Sequence, residues 1–113
     1  MPIHNITQQS ILAQDAVIAD NPFKRMKGLL GREALNSSEA LVITGCNSIH
    51  MLFMKFTIDV VFVDRNNRVV GLTPRIKPFQ LSPVFWKSAC AIELPAGTIE
   101  ATRTCVGDQL HIS

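Results

Sequence analysis

Asp59-Val60-Val61-Phe62-Val63-Asp64-Arg65-Asn66-Asn67-Arg68-Val69-Val70-Gly71-Leu72 decides the fold. Asp59 to Asp64 reads as a strand with an unbroken apolar centre. It has no period-two alternation, which predicts cover on both faces. Asn66-Asn67 then supplies residues that tolerate positive φ, and Arg68 to Leu72 runs back. The stretch predicts an antiparallel hairpin at the heart of a sheet.

Further strands are predicted on both sides of it. Asp15 to Ala19 and Leu41-Val42-Ile43 precede the hairpin, and Ser88 to Leu94 and Gln109 to Ile112 follow it. Pro95-Ala96-Gly97 and Gly107-Asp108 read as turns. Asp20-Asn21-Pro22 has the chemistry of a helix start, with Phe23, Met26 and Leu30 on one stripe and Gly31 as the stop. Thr73 to Lys87 carries Pro74, Pro78 and Pro83, which cannot donate to a ladder, so a long loop is expected there. These five or six short strands and one or two short helices predict a mostly β, barrel-like, mainly antiparallel α+β fold, with residues 1–113 as a single domain.

Composition permits this and narrows the function. A 12.5 kDa chain folds to roughly 6,200 Å² of surface from about 18,000 Å² unfolded, enough burial for a core without metal or disulfide staples. Hydrophobic residues are 47% and charged residues 18%, which argues against disorder. Net charge is 11 minus 9, or +2, too small a bias to imply a polyanion, so no nucleic-acid partner is expected. No apolar run approaches the roughly 20 residues that span a bilayer. The N-terminus lacks the basic and apolar regions of a secretory signal. No membrane partner is expected. The odd set Cys46, Cys90 and Cys105 contains no Cys-x-x-Cys, so the expectation is buried, unpaired thiols in a reducing cytoplasm. Cys46 and His50 have a spacing seen in metal sites, but two ligands do not make a site. No metal and no cofactor are expected.

Several motifs together resemble the family called domain of unknown function 192. Arg25-Met26-Lys27-Gly28-Leu29-Leu30-Gly31-Arg32 is similar to its opening signature. Ser48-Ile49-His50, Phe53-Met54 and Ile58-Asp59-Val60-Val61-Phe62 resemble its central motif. Glu93-Leu94-Pro95-Ala96-Gly97 and Gly107-Asp108 resemble its closing motifs. The departures are Leu30, where many members carry Met, and Met51, where Thr is common. The resemblance implies a small β-rich, barrel-like domain. It implies no activity, because none is established for the family.

The chemistry therefore has to be read from residues. His50, among apolar neighbours, is either a hydrogen-bonded core histidine or a proton-transfer group. Asp59 opens the apolar strand, and Glu93 shares a strand face with Ala89 and Ala91. The small neighbours leave room for a long partner, and Arg32 fits as a bidentate one. Such a pair is structural or functional with equal ease. Gly28-Leu29-Leu30-Gly31 has leucines where an RNA-binding Gly-x-x-Gly loop needs polar residues, so it reads as packing plus a cap. Phe79, Phe85 and Trp86 on the 73–87 loop form a lid or a protein docking surface.

The first reading is a binding module for a small polar or anionic ligand. Its pocket would be framed by Arg32, His50, Met54, Asp59 and Glu93 beneath that loop. The alternatives are an interaction domain using Phe79, Phe85 and Trp86, and an acid–base enzyme using His50 with Asp59 or Glu93. No nucleophile motif, metal triad or phosphate loop supports the enzyme.

Overall fold

The computed structural model describes residues 1–19, 35–49, 51 and 55–113. The expected helix from Asp20 to Gly31 lies outside them.

The described elements, in chain order, are β1 (Ile3–Asn5), β2 (Ser10–Ala13), β3 (Asp15–Ala19), β4 (Glu39–Thr44), β5 (Ile58–Val63), β6 (Val69–Ile76), β7 (Cys90–Pro95), α1 (Thr98–Thr102) and β8 (Leu110–Ile112). They form a three-stranded sheet, β2-β1-β8, and a five-stranded sheet, β3-β4-β7-β5-β6. All pairings are antiparallel except β3 with β4. The mainly antiparallel, β-rich fold is as expected. The strands do not close into a barrel, because the larger sheet stays open with β3 and β6 at its edges.

The central stretch behaves as its sequence requires. Every residue of β5 is buried. Val61 and Val63 face one apolar cluster with Val42, Ile92, Leu94 and Ile3. Val60 and Phe62 face another with Leu41, Ile43, Ile49 and Met51. Cover on both faces explains the missing alternation. The β5–β6 hairpin is tied by Asp64, whose Oδ1 accepts the N–H groups of Asn66 (2.8 Å) and Arg68 (3.0 Å), and Asn67 takes φ 60°.

One boundary and two strands differ from expectation. Strand β6 continues through Thr73, Pro74 and Arg75 to Ile76, so the loop begins at Lys77. Pro74 is tolerated because β6 is an edge strand. Strands β1 and β2 were not expected, since neither Ile3–Asn5 nor Ser10–Ala13 carries a strong pattern of its own. They form by long-range pairing, β1 lying between β2 and the C-terminal β8. Helix α1 follows the expected Ala96-Gly97 turn. Gly97 at φ 93° starts it and Arg103 at φ 56° ends it.

Candidate functional site

Asp59 and Glu93 stand on adjacent strands but on opposite faces. Asp59 registers with Leu94, and Glu93 with Val60. Cross-strand partners share a face, so Asp59 lies on the Leu94 side and Glu93 on the Val60 side. Of the residues expected around one pocket, Asp59 and Glu93 are therefore turned to opposite sides of the sheet. Arg32, His50 and Met54 lie outside the described residues, as does any pairing of Arg32 with Glu93.

Asp59 is fully buried, and both carboxylate oxygens accept backbone N–H groups. Oδ1 takes Arg75 N–H at 2.8 Å and Oδ2 takes Ile99 N–H at 2.8 Å. The first bond holds β6 near its end, and the second anchors the first turn of α1. A negative group at a helix start satisfies an orphan donor. This is a brace between three elements, with no exposed face to offer a substrate. Glu93 is also buried, among Leu41, Val60 and Ala91, and it does not lack a partner.

A third buried carboxylate, Asp108, reads in the sequence only as part of a turn. Asp108 Oδ2 accepts Asn5 Nδ2 (3.0 Å) and Cys105 N–H (2.8 Å), and its Oδ1 accepts Gln8 Nε2 (3.3 Å). Burial pushes its pKa up, but the hydrogen bonds from Asn5, Cys105 and Gln8 outweigh that and hold it below the ordinary 3.8. Asn5 and Gln8 are about a hundred residues from Asp108 in sequence, so nothing local signals them. They weld the N-terminal strands to the C-terminus. The thiols split likewise: Cys46 is buried, Cys90 half-buried and Cys105 exposed, so Cys105 is not the core thiol expected. Burial, then the neighbouring Cys46, pushes the Cys90 thiol up.

The accessible chemistry lies at the other end of the larger sheet. Ala89 N–H donates to Val63 O (2.8 Å), and Gly45 N–H donates to Ala89 O (2.7 Å). Ser88 Oγ donates to Cys46 O (2.9 Å). These bonds draw the ends of β4 and β5 and the start of β7 together. They leave an open groove of about 700 Å³ lined by Gly45, Asn47, Asp64–Asn66 and Trp86–Ala89. No atom among the described residues, beyond Gly45 and its chain neighbours, lies within 4 Å of where a Cβ on Gly45 would stand. Among the described residues, the groove holds two cations, Arg65 and Lys87, and one acid, Asp64. Two minus one leaves a net positive charge.

The loop above it is braced rather than slack. Phe79 N–H donates to Met51 O (2.9 Å), Met51 N–H to Gln80 O (2.9 Å), Ser82 N–H to Ile49 O (2.8 Å) and Phe85 N–H to Asn47 O (2.8 Å). Ser82 Oγ accepts Ile49 N–H at 2.8 Å. Phe85, expected on a docking surface, turns inward instead. Its ring lies 4.6 Å from that of Phe62 and sits where a side chain on Gly71 would go. Pinned this way, the loop displays Phe79 (73% exposed), Leu81 (73%), Val84 (44%) and Trp86 (83%).

The sequence named Trp86 but not Arg65, Asn47 or Asn66. Asn66 read as a turn residue only. The convergence of three chain segments is not visible along one of them.

The DUF192 family model, described as "Uncharacterized ACR", matches residues 3–112. The chain belongs to the DUF192 family. Two curated UPF0127 proteins of this kind are similar over almost its whole length. One, from Pyrococcus furiosus, is 35% identical over 110 residues, covering 95% of this chain and 94% of the relative. Another, from Thermococcus sibiricus, is 33% identical over 110 residues, covering 94% and 71%. A crystal structure of a protein of unknown function from Novosphingobium aromaticivorans superposes with a TM-score of 0.83 at 18% identity, covering 99% of this chain and 84% of that one. That likeness shows a shared fold. The DUF192 family is uncharacterised, so a function has to be argued from the site.

Proposed function

We propose that this DUF192 protein is a binding module for a small polar or anionic ligand with a flat ring, held in the groove beside Trp86. One observation carries the reading. The chain's single tryptophan stands 83% exposed at the rim of a groove that also holds Arg65 and Lys87. A flat aromatic face takes a ring by stacking, and the two cations favour a carboxylate or phosphate on it. Asn47 and Asn66 line the same groove and carry amides able to donate and accept. The volume of about 700 Å³ falls in the range of small-molecule sites, roughly 300–1,000 Å³. The three free thiols support a reducing compartment such as the cytoplasm.

The test is fluorescence. With one Trp and no Tyr, intrinsic emission reports on the groove directly. Titration with mononucleotides, aromatic carboxylates, sugar phosphates and inorganic phosphate is expected to give saturable quenching by at least one ring-bearing anion. Arg65→Ala and Lys87→Ala should weaken it. No saturable change with any of these at millimolar concentration refutes the reading.

A further inference from the structure

We infer that the 77–87 segment docks this protein on the surface of an anionic phospholipid bilayer, with Phe79, Leu81 and Val84 at the contacting tip. The inference does not rest on the groove reading.

Four large apolar side chains stand out of the eight residues 79–86. Elsewhere among the described residues, exposed large apolar side chains are scattered: Met1, Ile6, Ile11, Val17, Ile18 and Val106. Isolated exposure needs no explanation, whereas a concentrated patch marks an interaction site. The display is also held against cost. Phe79 adopts φ 68°, a left-handed backbone that a bulky residue rarely takes. Its N–H bond to Met51 O and the inward Phe85 keep it there.

Charge selects the occupant. Lys77 and Lys87 bound the segment, and no acid lies between them. Together they carry +2, the net charge of the whole chain, so the remaining residues sum to zero. An apolar tip between two exposed lysines is complementary to anionic headgroups above an acyl layer. Lysine is depleted in protein–protein interfaces, whereas at a bilayer its stem lies along apolar surface while the ammonium stays at headgroup level. Trp86 stands one residue from Lys87, and tryptophan is a preferred residue at that depth. No membrane partner was expected from sequence because no apolar run spans a bilayer. Surface contact needs only a displayed tip, and the fold makes one. No helix among the described residues is long and apolar enough to cross a membrane.

The experiment is co-sedimentation of the full chain with vesicles of phosphatidylcholine alone and of phosphatidylcholine mixed with phosphatidylglycerol. The expected result is sedimentation with the mixed vesicles, weakened by added salt. Lys77→Gln should weaken it about fivefold, and the double variant Phe79→Ser with Leu81→Ser at least tenfold. Both variants change exposed side chains, and a thermal melt confirms that they fold. Absent sedimentation, equal sedimentation with both lipids, or sedimentation unchanged in the double variant overturns the inference. So does self-association of the wild type that the double variant abolishes without any vesicle binding, which would assign the patch to a second copy. The double variant leaves Arg65, Trp86 and Lys87 in place. Its groove titration therefore fails only if the groove reading is wrong.

Discussion

Replacing Asp59 by Asn keeps the shape of the side chain and removes its charge. In the native protein the two oxygens accept Arg75 N–H and Ile99 N–H, each at 2.8 Å, in a site with no exposed surface. An amide keeps one acceptor and turns an NH₂ towards the other N–H. One charge-assisted bond is then lost, worth about 1.5–3 kcal/mol, and a buried donor is left unmet. Together these cost about 3 kcal/mol, a large part of the roughly 5–15 kcal/mol that stabilises a domain. For a chain of this length that lowers Tm by about 12 °C. Circular dichroism melts and urea titrations measure the loss, with the urea slope unchanged if only stability falls. Amide hydrogen exchange locates it. Exchange at one of the two amides, Arg75 or Ile99, should accelerate beyond the global change, because the N–H that faces the new NH₂ loses its acceptor. A Tm loss under about 2 °C, or unaltered relative protection at both amides, refutes the bracing role.

Three other outcomes follow from the same structure. Asp108 has a folded pKa below its ordinary 3.8, so its stabilisation is present above that value and is lost as pH falls through the lowered folded pKa; the stability gap between wild type and Asp108→Asn should therefore shrink in acid melts, and a gap constant with pH contradicts this. Gly71→Ala places a Cβ inside the Phe85 ring, 2.6 Å from Cγ, so it should cost about 1–3 kcal/mol, and a variant as stable as wild type with Phe85 undisplaced would show the packing is wrongly read. Under native conditions a thiol reagent should modify exposed Cys105 well before half-buried Cys90, whose raised pKa holds it as thiol, and before buried Cys46; three equal rates would count against that order.

The legible parts of the fold are those with local chemistry. Val60-Val61-Phe62-Val63 announced a strand covered on both faces, and Asn66-Asn67 announced its turn. Strand β1 was not legible, because Ile3–Asn5 is three residues long and is held by partners at both ends of the chain. Asp59 and Glu93 stand out in the sequence as carboxylates in apolar runs, and both are buried. Their joint membership of one pocket was not a sequence property. It depends on the parity of each residue against its cross-strand partner, and that parity sends them to opposite faces.

The sequence by itself determined the class of this protein: β-rich, mainly antiparallel, with a central hairpin and the motifs of its family. Those properties are written in local pattern, where side-chain period, turn residues and apolar runs act over a few positions. Only the tertiary structure decided which residues meet. Ala89 draws Val63 and Gly45 together and so builds the groove, and Phe85 turns inward over Gly71 while Phe79, Leu81, Val84 and Trp86 turn out. Long-range hydrogen bonds and ring packing settle that arrangement, and they join positions whose separation along the chain carries no signal of their contact.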